Sequence, residues 1–235
     1  MAVSWEYVFQ YMSNMIFGSS LFSQAYELFM LSISLTTGIL VVGIIYKLYK
    51  NYKQTESVET LLFLLGMISL IPANVFLTLQ GVCYSTFGLP GLGELLTIIT
   101  LFPAQFTYLC VNLFAIRMTF PKRYKIVLAI LLVISVILIG TESWAVIQGP
   151  PYSTVRNFTT VYSFEIQIVR FLSLGATAVI PIGVFYYFAA KIREENRPQS
   201  NLSVWLGTGI LFFAIPVLII SITPEFGIIQ VLYLL

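Results

Sequence analysis

The sequence contains no histidine and no aspartate, and its only cysteines are Cys83 and Cys110. Haem, zinc, copper and non-haem iron sites are built mainly from His, Asp and clustered Cys, so we expect neither a metal nor a cofactor. A Ser–His–Asp or Cys–His catalytic arrangement cannot form without histidine, and no glycine-rich phosphate loop with a lysine is present. These absences indicate a protein that is not an enzyme. The two cysteines are predicted to be free thiols rather than a disulfide.

Charged residues are also scarce, at 9% of the 235 residues, whereas hydrophobic residues make up 58% and the mean hydropathy is +0.92. A soluble domain carries about 25% charged residues. The composition therefore predicts an integral membrane protein of the all-α class, a polytopic helix bundle with the lipid bilayer as its first partner. Nothing in the sequence supports nucleic-acid binding, because membrane topology accounts for the basic loops.

Residues 27–235 are predicted to form a single transmembrane bundle, in which long apolar runs define six full spans. A seventh run of ten residues would be about 15 Å long as a helix, against a hydrocarbon core of roughly 30 Å. Either this last span is short, or it is truncated here because the natural chain continues beyond it. The predicted spans are 28–46, 58–80, 95–116, 126–147, 164–189, 202–222 and 226–235.

Residues 1–26 are mixed rather than continuously apolar, and no signal peptide is recognisable in them. A short amphipathic helix lying in the membrane interface is predicted by apolar residues that recur at helical spacing, namely Trp5, Val8, Phe9, Met12 and Ile16. The alternative is a loosely ordered N-terminal tail.

The basic residues are concentrated in three connections that alternate with connections holding only Arg156. By the positive-inside rule, the basic connections are cytoplasmic and the N-terminus is outside, as in a multi-pass protein of the cell membrane. The basic residues of these connections are Lys47, Lys50 and Lys53; Arg117, Lys122, Arg123 and Lys125; and Lys191, Arg193 and Arg197.

The fifth span carries a polar stripe that includes the one basic residue within an apolar run. Ser163, Gln167, Arg170, Ser173 and Thr177 follow one another at spacings of three or four, so they share one helix face. An arginine inside a membrane costs about 2.5–3.5 kcal/mol on insertion scales and usually faces protein or a wet cavity. We therefore expect the other spans to pack around this stripe.

Three carboxylates compete as partners for Arg170. Arg170 lies roughly 9 Å below the outer end of span five, and Glu142, about five residues below the outer end of span four, lies at nearly the same depth. Glu165 is five positions from Arg170 on the same helix, a poor pairing angle. Depth therefore favours Glu142, with Glu94 as a third member of the cluster. The pair is interpreted either as a structural lock between spans four and five or as a ligand or signal site open to the outer face.

A second layer of polar groups follows prolines within the spans. Asn74 comes after Pro72 in span two, and Gln105 comes after Pro103 in span three, with Asn112 further in. Asn112 is predicted to hold helices together, since amides bond across membrane helices. For Asn74 and Gln105, packing and cavity lining both stay open.

Residues 101–125, LFPAQFTYLCVNLFAIRMTFPKRYK, combine a polar-interrupted span, a short Pro-basic loop and the start of an apolar span. With seven spans and short basic inner loops, the chain resembles the seven-helix sensory module of prokaryotic histidine kinases and related signalling proteins. The resemblance implies that a signal is sensed in the outer half and passed to a cytoplasmic output.

Two other functions stay open beside the sensor. The first is an accessory, cofactor-free subunit of a larger membrane complex, which would bind other subunits; a sensor would rather form a homodimer. The second is a small-solute transporter, supported by a glycine-then-proline echo between Gly66–Pro72 and Gly209–Pro216.

Overall fold

The computed structural model describes residues 20–85, 87, 89–156 and 159–222. Within them the chain forms six helices and one antiparallel two-stranded hairpin. The elements are α1 (Ser20–Thr55), α2 (Val58–Ser85), α3 (Pro90–Thr119), α4 (Tyr124–Gln148), β1 (Ser153–Arg156), β2 (Thr159–Tyr162), α5 (Phe164–Ile192) and α6 (Arg197–Ile222).

Four of these helices are long and apolar enough to cross a membrane, judged by length and composition: α2, over residues 58–84, and the whole of α3, α4 and α5. This confirms the predicted class, a helical protein of membrane type. Predicted spans two to five lie within these four helices, and predicted spans one and six lie within α1 and α6. Predicted span seven lies outside the described residues, as do residues 1–19 of the predicted interfacial segment. Residues 20–26 belong to α1.

Helix α3 lies at the centre of the bundle and contacts α2, α4 and α5, while α1 packs against α2 and α6 against α5. The approach of α2 to α3 depends on a glycine: a Cβ on Gly66 would lie 3.2 Å from the Cβ of Cys110. Beside it, the hydroxyls of Ser69 and Thr107 are 2.8 Å apart and hydrogen-bonded. Both cysteines are buried free thiols, as predicted.

The connection between predicted spans four and five contains the hairpin, which the all-α prediction missed. Gly149 ends α4 with a φ of 66°, a backbone conformation that L side chains rarely adopt, and its N–H bonds to the carbonyl of Ala145. Thr159–Tyr162 then pairs with Ser153–Arg156 in the register Ser153 opposite Tyr162. The physical reason is local, because both strands are rich in Thr and Val, which favour extended structure.

The bundle therefore has two distinct ends. The hairpin end carries β1 and β2 between α4 and α5. The basic end, opposite to it, carries the connections from α1 to α2, α3 to α4 and α5 to α6. At the basic end, the Nε of Arg117 donates to the Oε1 of Glu59 at 2.7 Å and ties α3 to α2.

Candidate functional site

The polar stripe of α5 faces the bundle interior, as its spacing predicts. Ser173 and Thr177 are buried and Arg170 is partly buried, while Leu172 and Val179 on other faces are more than 60% exposed. Arg170 in turn meets α4, because its Nε lies 3.4 Å from the Oε1 of Glu142. The predicted pairing of Glu142 with Arg170 is therefore present.

The two charges of this pair have very different environments. The Glu142 side chain is 3% exposed, whereas the Arg170 side chain is 29% exposed. At 3.4 Å the contact is longer than the 2.7–2.9 Å typical of an aligned, charge-assisted hydrogen bond. The pair therefore combines a deeply buried anion with a cation that is partly exposed at the surface of the bundle.

Tyr162 at the end of β2 completes the site. Its ring lies under the guanidinium of Arg170, with 5.6 Å between the Arg170 Cζ and the ring centroid, and its hydroxyl donates a hydrogen bond to Glu142. Burial, followed by the nearby carboxylate charge, raises the pKa of the Tyr162 phenol well above its ordinary value. Tyr162 therefore stays a neutral donor to Glu142. We refer to Glu142, Arg170 and Tyr162 as the polar cluster.

Strand alternation explains why Tyr162 points into the bundle. Side chains two residues apart share a strand face, and Thr160 and Tyr162 are 8% and 6% exposed, while Ser153, opposite Tyr162, is 7% exposed. The Ser153 hydroxyl donates to the carbonyl of Ala145 at 3.0 Å. The amide of Gln167 donates to the carbonyl of Tyr162 at 2.6 Å, which ties β2 to the first turn of α5.

Three hydroxyls hold the hairpin on the helix ends. The Tyr84 hydroxyl lies 3.4 Å from that of Thr97 and 3.3 Å from that of Thr160, and Thr97 and Thr160 are 3.3 Å apart. We refer to these three residues as the hydroxyl cluster; it joins α2, α3 and β2. A Cβ on Gly93 would lie 2.4 Å from the Tyr84 ring, so only glycine allows the ring to take this position.

Below the polar cluster the helices meet through an apolar layer and then an amide. Leu138 and Leu174, one turn from Glu142 and Arg170, pack together with Tyr108 of α3. One turn deeper, the Asn112 side-chain amide donates at 2.8 Å to the carbonyls of Tyr108 and Thr177, and so links α3 to α5. Asn112 thus has the interhelical packing position that the sequence predicts for it.

The other predicted site residues are only partly brought together. Gln167 lies next to the polar cluster, but Glu94 makes no ion pair with Arg170 in the part of the chain that the structure describes. Gln105 is buried and accepts a hydrogen bond from Ser135 at 3.4 Å, which is packing between α3 and α4. Asn74 is half-buried, and its backbone carbonyl accepts from Thr78. Gln105 therefore belongs to the contact of α3 with α4, and the Asn74 bond lies within α2.

Sequence reasoning missed Tyr162 and the hydroxyl cluster. Tyr84, Thr97 and Thr160 lie on three different elements, so no local spacing connects them. The available signal was the alternation in Thr159–Tyr162, where Thr160 and Tyr162 share a strand face.

The polar cluster contains no nucleophile next to a general base. Its one carboxylate, Glu142, is the only side chain in the cluster of a type that commonly binds a metal. No group of three His, Cys, Asp or Glu residues suited to a metal ion occurs among the described residues. What the arrangement can do is bind charge: Arg170 is a partly exposed cation held between a carboxylate and an aromatic ring. An anionic group that reached Arg170 would compete with Glu142.

Comparison of the chain with protein-family models, with curated proteins and with solved structures finds no match.

Proposed function

We propose that this protein is a non-enzymatic membrane sensor, a receptor-like helix bundle whose signal acts at the polar cluster beneath the hairpin. The observation that carries the proposal is the contact of Tyr162 with both Glu142 and Arg170. A change in the seating of the hairpin alters the surroundings of the buried charge pair, and that pair joins α4 to α5.

The route from the hairpin to the opposite end follows packed contacts. Movement at Glu142 and Arg170 reaches the Leu138–Leu174 layer one turn below, and then the bond of Asn112 to α5. A signal transmitted along α4 and α5 would emerge at the basic end. With the predicted topology of six full spans, a seventh that is short or truncated and an outside N-terminus, this arrangement would deliver an outer signal to a cytoplasmic output.

An accessory subunit of a larger membrane complex is the second candidate. The observation that favours it is the exposed apolar face of α4, where a partner helix would fit as well as lipid does. Among its side chains more than 45% exposed are Ile126, Ile130, Val133, Val136, Ile137, Trp144 and Ile147. In that role the polar cluster fastens α4 to α5 and has no ligand.

One purification distinguishes the two roles. The protein is extracted gently from its native membrane with all co-purifying chains, and stoichiometric partners are identified by mass spectrometry. A sensor is expected alone or as a homodimer. Amide exchange of the hairpin is then measured in nanodiscs with acetate or phosphate as anionic probes, and a change in exchange that Arg170→Gln abolishes supports the sensor. A stoichiometric hetero-partner, with no response of the hairpin to either probe, establishes the subunit role instead.

A further inference from the structure

The connection from α3 to α4 is a tight, strongly basic turn. Three of its cations, Lys122, Arg123 and Lys125, are exposed within four consecutive residues. Its backbone is fixed by two hydrogen bonds, from the N–H of Phe120 to Ile116 and from the N–H of Arg123 to the carbonyl of Phe120. We refer to residues 120–125 as the basic turn. Lys122 and Arg123 precede α4 and Lys125 lies in its first turn, so the three charges are grouped at one helix end.

A fourth cation, Lys191, lies one helical turn from the residue of α5 that contacts the basic turn. The rings of Phe120 and Tyr187 are stacked with centroids 5.4 Å apart, which places this part of α5 against the turn. Lys191 lies four residues after Tyr187, on the same helix face, and is exposed. Tyr187 is itself 52% exposed and Phe120 is 36% exposed. The result is an aromatic pair flanked by cations from two elements.

The positive charge of the basic turn is not balanced by nearby acidic residues of the sequence. No acidic residue occurs between Arg117 and Thr141. Glu59 of the neighbouring helix α2 accepts from Arg117 at 2.7 Å. The connection from α5 to α6 differs, because Glu194 and Glu195 lie between its arginines.

We propose that the basic turn, together with Lys191, binds the phosphate headgroup of an anionic phospholipid. Helices α3, α4 and α5 are long enough to cross a membrane, so the turn that joins two of them lies at the level of the headgroups. Lysine and arginine side chains bind phosphate oxygens with charge-assisted hydrogen bonds. The exposed ring pair suits the same depth, because aromatic side chains favour the membrane interface. The proposal is independent of the sensor or subunit role.

The test uses the full chain in a mild detergent, titrated with phosphatidylglycerol or phosphatidylcholine, with bound lipids counted by native mass spectrometry. Two variants remove three charges each: Lys122→Gln/Arg123→Gln/Lys125→Gln, and the matched control Lys47→Gln/Lys50→Gln/Lys53→Gln on α1. We expect the turn variant to bind phosphatidylglycerol about a hundredfold more weakly, since each basic residue near an anionic headgroup strengthens binding about fivefold. The control variant should keep its preference for the anionic lipid.

A single substitution, Lys191→Gln, tests the contribution of α5 without altering the turn, and a loss of about fivefold in phosphatidylglycerol binding is expected. Circular dichroism checks that each variant keeps its helix content. Equal losses of phosphatidylglycerol binding in the two triple variants would show that overall charge alone controls binding. That result would overturn the proposal. It is overturned as well if the turn variant binds both lipids like the unmodified chain. Displacement of the lipid by millimolar inorganic phosphate would identify a free-anion site rather than a lipid site.

Discussion

At the scale of single residues, Glu142 and Arg170 differ in exposure, so the loss of one side chain should cost more folding free energy than the loss of the other. The Glu142 side chain is 3% exposed and is enclosed by Tyr162, so it depends on Arg170 for charge compensation. The Arg170 side chain is 29% exposed and also lies over the ring of Tyr162, so it keeps this contact without Glu142. Breaking a buried pair is costly mainly because it leaves an uncompensated buried charge.

We therefore expect Arg170→Gln to lower the free energy of unfolding by about 2–4 kcal/mol, and Glu142→Gln by about half as much. The double variant Glu142→Gln/Arg170→Gln should be more stable than Arg170→Gln alone, because no buried anion remains. The measurement is equilibrium unfolding in detergent micelles.

Glu94→Gln is the control for this comparison, because Glu94 forms no ion pair with Arg170 among the described residues. We expect it to change stability by less than about 0.5 kcal/mol. A loss from Glu142→Gln as large as that from Arg170→Gln would contradict the asymmetry, and a large loss from Glu94→Gln would restore Glu94 to the cluster.

At the scale of elements, the hairpin is the part of the fold that the sequence predicted least well. The helices are evident because each is a long apolar run, and the inward stripe of α5 follows from its spacing alone. Strands of four residues carry little periodic signal, and the residues of the hydroxyl cluster are 13 to 76 positions apart. Depth along two helices was enough to predict the Glu142–Arg170 pair, whereas its aromatic cover depends on hairpin register, which the sequence does not reveal.

Burial of Tyr162 by the hairpin predicts a stability loss at alkaline pH. The pKa of Tyr162 is raised in the folded protein by burial and by the charge of Glu142, while an unfolded tyrosine ionises near pH 10. The folded state therefore holds this proton more tightly. The contribution of Tyr162 is fully present below about pH 10 and is lost as pH rises from there towards the folded pKa, by up to about 1.4 kcal/mol per pH unit.

Unfolding at pH 9 and pH 11 measures this loss. We expect the unmodified chain to lose more stability over this interval than Tyr162→Phe, which has no phenol to ionise. The matched control is Tyr152→Phe, because Tyr152 is 39% exposed, and it should lose as much as the unmodified chain. Equal pH dependence in all three proteins would show that the hairpin does not bury Tyr162 in solution.

At the scale of the whole molecule, charge and hydrogen bonding are divided between the two ends. The hairpin end carries the polar cluster and the hydroxyl cluster, whose side chains form hydrogen bonds with one another and are largely buried. The basic end carries exposed lysines and arginines in and beside three connections, including the last turns of α1, with the ion pair of Arg117 and Glu59 between α2 and α3. The positive-inside rule is based on such an uneven distribution of lysine and arginine. It predicts that the hairpin end faces outward and the basic end faces the cytoplasm.

Two single cysteines placed at opposite ends test that orientation. The native thiols, Cys83 and Cys110, are 4% and 3% exposed, so they react slowly and can be replaced by alanine as a precaution. Tyr152→Cys lies in the exposed turn before β1, and Lys122→Cys lies in the exposed basic turn. In intact cells we expect a membrane-impermeant maleimide to label Tyr152→Cys at once and Lys122→Cys only after the membrane is permeabilised. The reverse pattern would invert the topology and place the polar cluster, with any signal it detects, on the cytoplasmic side. Equal labelling of both sites in intact cells would contradict a membrane-crossing arrangement of α3, α4 and α5, since no bilayer would then separate the two ends of the bundle.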